Sequence, residues 1–74
     1  MLVNGTEVNE NHFYRIQNFF PDANNCFWYS FNSMSNELNS NCQHKASAKV
    51  YSGKEIIYNA KLIREYKTAK LIEV

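Results

Sequence analysis

Two cysteines and two histidines, Cys26, Cys42, His12 and His44, are the side chains of this 74-residue sequence best suited to chemistry. Four sulfur and nitrogen donors are the right number for a tetrahedral structural zinc site. Their spacing argues against one. There is no Cys-x₂₋₄-Cys or His-x₃₋₅-His pair, and Cys42 and His44 would point about 200° apart on a helix. Both cysteines are therefore expected to be small core residues, with no metal and no other cofactor held. Nothing marks either thiol as an activated nucleophile. The seven acidic residues fall singly, without an Asp/Glu cluster or a glycine-rich phosphate loop to suggest acid–base or phosphoryl chemistry. The expectation is a protein that is not an enzyme.

Aromatic residues beside cations are the second candidate. Tyr14-Arg15, Trp28-Tyr29, Lys61 and Arg64 could form a surface on which unpaired bases stack. Lys45, Lys49 and Lys54 add a modest basic strip. Against this, eight basic and seven acidic residues leave a net charge of +1, so no long-range field would gather nucleic acid. The alternative is that these aromatics fill the core.

The elements that must position such residues belong to one domain, 1–74. A chain of this length buries only about 60–65% of its unfolded surface, so its core is small. A composition of 45% apolar and 20% charged residues is that of a globular protein. No apolar run approaches the roughly 18 residues of a membrane span, and the N-terminus lacks the regions of a signal peptide. A cytoplasmic protein without membrane contact is expected.

The densest aromatic stretch, Cys26–Phe31, reads as a central strand. Phe27, Tyr29 and Phe31 share the face toward the core, and Trp28 is exposed on the other. Asn11–Phe20 reads as its antiparallel neighbour, with Pro21–Asn25 as the turn. Asn4-Gly5 suits a type I′ hairpin near the N-terminus. Asn32–Asn39 reads as a loop. Ser40 and Gln43 have capping-box spacing, Cys42, Ala46 and Val50 form a stripe, and Gly53 suits a helix end; together they predict a helix over 41–52. From Glu55 to Tyr66 the even positions Ile56, Tyr58, Ala60 and Leu62 alternate as in a strand. Ser52 and Glu55 also form a capping box, so a helix over 53–66 stays open. Ala60-Lys-Leu-Ile63 recurs as Ala69-Lys-Leu-Ile72, which suggests two neighbouring strands. The predicted fold class is α+β: about four antiparallel strands with one helix on one face, in the order β-β-α-β-β.

This layout resembles the small proteins that bacteriophages use to block host machinery or host defences. The likeness lies in the size, in an Asn-, Ser-, Lys- and Ile-rich composition that fits an AT-rich genome, and in the order of the Cys26–Phe31 strand, the Ser40–Gly53 helix and the Glu55–Val74 strands. It includes no motif, so it transfers no functional residue. The lack of strong acidity departs from the DNA-mimicking members. The resemblance implies a stoichiometric inhibitor or modulator of a larger protein, acting in the host cytoplasm. Trp and Tyr are the usual hot-spot anchors, and the expected partner-binding residues are Tyr14, Arg15, Trp28, Lys45, Lys49, Lys61 and Arg64. The alternatives are a single-stranded nucleic-acid-binding module and a subunit that self-associates, as a homodimer, through an edge strand.

Overall fold

The structure, a computed structural model, describes residues 1–19, 27–42 and 48–74, apart from the side chains of Asn41 and Cys42. Asn4 and Gly5 join β1 (Leu2–Val3) to β2 (Thr6–Glu7). Their φ angles of 49° and 84° are both positive, as a two-residue type I′ link requires.

The main sheet is antiparallel. β3 (Phe13–Asn18) pairs with β4 (Phe27–Asn32), and β4 pairs with β5 (Glu37–Cys42). β3 also pairs with β6 (Tyr51–Ser52) at its first two residues and with β7 (Ala69–Glu73) from Tyr14 to Asn18. Between β6 and β7 lie two short helices, α1 (Gly53–Tyr58) and α2 (Ala60–Arg64). The α+β class is as expected, but the order differs.

The segment 32–42 carries the first correction. Asn32 ends β4, Ser33–Asn36 is the turn, and Glu37–Cys42 is a strand in place of loop and helix start. Alternation is hidden there because, among the described side chains of the strand, Leu38 is the only buried apolar one. Its inward companion Ser40 accepts a hydrogen bond from Asn18 Nδ2 at 2.9 Å. That hydroxyl is used between strands and caps no helix. Residues 48–50 are irregular and 51–52 are strand, so the predicted helix over 41–52 is absent among the described residues. Its middle, including Gln43, Lys45 and Ala46, lies outside the described residues, as does the turn at Pro21–Asn25.

The second correction is at 53–64, where the strand reading fails and its helical rival holds. Glu55 N donates to Ser52 Oγ, and Ser52 N donates to Glu55 Oε1, both at 3.3 Å. Gly53 opens this helix and does not close an earlier one. A Cβ there would sit 1.9 Å from the Asn9 carbonyl oxygen, so only glycine lets the helix start against that loop. The buried positions are Ile56, Ala60 and Ile63, spaced by four and three as one helical face. Helices this short do not hold themselves together. A cap contributes about 1 kcal/mol, whereas burying an isoleucine contributes about 1.5–3 kcal/mol. Core burial therefore decides between the two patterns.

That face packs on Tyr14 and Ile16 of β3, Tyr29 of β4, Leu38 of β5 and Leu71 of β7, with Val3 and Val8 from the N-terminal region completing the cluster. All of the core cluster lies on the side of the sheet that the helices cover.

Candidate anion-binding cleft

Those of the expected partner-binding residues that the structure describes do not share one surface. Tyr14 is 2% exposed, in the core, where its hydroxyl accepts the Asn9 backbone N–H at 2.9 Å. Trp28 is 5% exposed, which overturns the expectation of an open indole. It does lie opposite the core face, but β4 is the middle strand of β5-β4-β3, and Trp28 has Gln17 and Cys42 as cross-strand partners. Arg15 is half-buried on the same side, in register with Ile72. Lys45 lies outside the described residues. Lys49 is exposed, with Nζ 5.9 Å from the centre of the Tyr51 ring. Lys61 and Arg64 are exposed one turn apart on α2.

The tyrosines explain why the aromatics moved inward. Tyr51 Oη accepts the Phe31 N–H at 3.0 Å, and Tyr66 Oη accepts the Leu38 N–H at 3.2 Å. Tyr29 Oη and Thr68 Oγ1 share a hydrogen bond at 2.9 Å. Rings meet edge to face in the Tyr29–Tyr66 and Phe31–Tyr51 pairs. Each of these side chains buries apolar area and satisfies its hydroxyl within the protein, the arrangement that makes a buried tyrosine favourable.

A different constellation is exposed. The N-terminal turn, the end of α2, the turn after it and the adjoining ends of β3 and β7 enclose an open cleft of about 460 Å³. Arg64, Lys67 and Lys70 supply three positive charges, Thr6 and Thr68 supply hydroxyl groups, and Phe19 supplies an aromatic wall. No acidic residue lines it among the described residues. The two concavities beside the helices differ: one includes Glu37 and Glu55, the other Glu65.

Local geometry fixes this cleft. Asn4 turns its amide toward the carbonyls of Ile63, Tyr66 and Ala69, at 3.2, 3.1 and 2.7 Å. The Ile63 and Tyr66 carbonyls also accept the backbone N–H groups of Tyr66 and Ala69, both at 3.0 Å, so Asn4 is a second donor to each, and its bond to Ala69 occupies the start of the β7 edge. Phe19 N donates to the Thr68 carbonyl at 2.9 Å, which ties the end of β3 to the turn. Arg64 Nη2 donates to the Leu2 carbonyl at 2.7 Å, so its guanidinium is held at the rim. Lys70 Nζ lies 5.0 Å from the centre of the Phe19 ring, within cation–π range.

Of these residues only Arg64 was expected from sequence. A signal was present, since Lys61, Arg64, Lys67 and Lys70 recur at every third position. A net charge of +1 conceals it by averaging separated charges. At physiological ionic strength charges interact over about 8 Å, so the local set matters more than the sum.

His12 Nδ1 and Glu73 Oε1 form an exposed pair. No group of three or more His, Cys, Asp or Glu side chains is placed to hold a metal ion among the described residues. No described helix is long and apolar enough to cross a membrane. No protein-family model, curated protein or solved structure matches the chain.

Proposed function

We propose that this protein is a non-enzymatic binding module that takes a phosphate-bearing ligand in the cleft beside the N-terminal turn. The observation that carries the reading is the convergence of Arg64, Lys67 and Lys70 on one concavity with no acidic lining residue among those described. Arginine held by a backbone carbonyl offers a fixed fork of donors, and lysines offer mobile point charges, a combination suited to phosphate oxygens. Addition of a short oligothymidylate to isotope-labelled protein at low salt should shift the amide resonances of Gly5, Thr6, Thr68 and Lys70. Shifts spread evenly over the surface, or confined elsewhere, would remove the cleft from consideration.

A second reading keeps a larger protein as the partner, inhibited or modulated stoichiometrically as the phage resemblance implies. Trp28 no longer anchors it. What favours it is the adjacent pair Phe13 and Val74, 54% and 61% exposed and joined by a hydrogen bond from Val74 N to the Phe13 carbonyl. Exposed apolar groups side by side suit a protein contact. A protein that co-purifies with the chain, is lost on Phe13→Ser and is kept on Lys67→Gln would support this reading; one indifferent to Phe13→Ser would count against it.

A further inference from the structure

Phe19 distinguishes the cleft from an ordinary patch of surface lysines. It is 39% exposed, it lines the cleft, and its ring lies beside the Lys70 ammonium. Phenylalanine brings no hydrogen-bonding group, so the exposed part of its ring suits a flat apolar surface. A second exposed aromatic, Tyr58, is 89% exposed and lines the neighbouring concavity with Lys61. The cations at 61, 64, 67 and 70 follow Tyr58 in sequence, and the last three line the cleft with Phe19. Lys61 and Arg64, three residues apart on α2, have Cβ atoms about 5–6 Å apart. The positive charge thus continues out of the cleft along the helix, which suits a chain of phosphates better than one isolated anion. Glu65 shares the concavity of Lys61 and Tyr58 and opposes a phosphate there, so the Phe19 end is the stronger contact.

Resting on the phosphate reading of the cleft, we infer that the ligand is single-stranded nucleic acid, with phosphates on Arg64, Lys67 and Lys70 and one base stacked on Phe19. Stacking on an aromatic ring tolerates any base and is denied to a duplex, whose bases stack on one another. The site is accordingly selective for strandedness and indifferent to sequence.

The test is fluorescence anisotropy of a labelled oligothymidylate with the full chain at low salt. Unlabelled oligothymidylate, duplex DNA of equal length and inorganic polyphosphate of matched charge serve as competitors. Oligothymidylate should compete at least tenfold better than either of the others. Phe19→Leu, checked for an unchanged melting curve, should lower its affinity by about tenfold and leave polyphosphate binding as it was. Equal competition by all three overturns base stacking while the phosphate site stands, and this comparison needs no variant. Unchanged oligothymidylate affinity in folded Phe19→Leu also overturns it. Absence of binding by all three removes the phosphate reading and the inference with it.

Discussion

The seam between sheet and helices and the basic cleft use aromatic side chains in opposite ways. In the seam, the hydroxyls of Tyr14, Tyr51 and Tyr66 accept backbone N–H groups of Asn9, Phe31 and Leu38; the rings of Tyr14 and Tyr51 are buried and that of Tyr66 is partly buried against the core. In the cleft, Phe19 has no hydroxyl to satisfy and keeps part of its ring open beside Lys70. An aromatic whose polar group is paired internally has little left to offer a ligand. Its frequency in a sequence therefore says less about binding than the company it keeps.

The largest expected effect lies where the seam depends on packing. Ile63 is fully buried on α2, and its carbonyl also accepts from Asn4 at the cleft wall. Ile63→Ala should cost about 2–5 kcal/mol in urea unfolding and should weaken ligand binding only to the extent that the protein unfolds. A loss below about 1 kcal/mol would mean that the helices are not held by this face.

A smaller effect separates paired from unpaired hydroxyls. Tyr51→Phe leaves the Phe31 N–H without its acceptor and should cost about 1–3 kcal/mol. Tyr58→Phe, at an exposed ring, should stay within about 0.5 kcal/mol of the parent. Equal melting temperatures for the two variants would dissolve the distinction on which the comparison rests.

Much of the fold was legible where local chemistry and core packing agree. Asn4-Gly5 made its turn, the described part of the aromatic run, Phe27 to Phe31, became β4 with Tyr29 inward, and Ser52 with Glu55 marked a helix start. Legibility failed where a pattern had two solutions. Even-numbered apolar residues from Ile56 to Leu62 imitated a strand, and the position that breaks the tie is Ile63, which joins Ile56 and Ala60 on one buried face. β5 was concealed by Ser40, whose inward hydroxyl meets Asn18 and gives no apolar signal. The cleft was harder still. Asn4, Phe19 and Lys70 are brought together only by the β3–β7 register and the N-terminal clamp, which no local spacing reveals.

A phosphate site built from Arg64, Lys67 and Lys70 should show itself in the salt dependence of oligothymidylate affinity. Each phosphate contact on a single strand contributes about −0.7 to the slope of log K against log salt. Three contacts predict a slope near −2. In Lys67→Gln/Lys70→Gln, which spares the bond from Arg64 to the Leu2 carbonyl, the slope should fall to about −0.7, with the melting temperature nearly unchanged. A slope that is the same in the parent and the double variant would mean that Lys67 and Lys70 contact no phosphate.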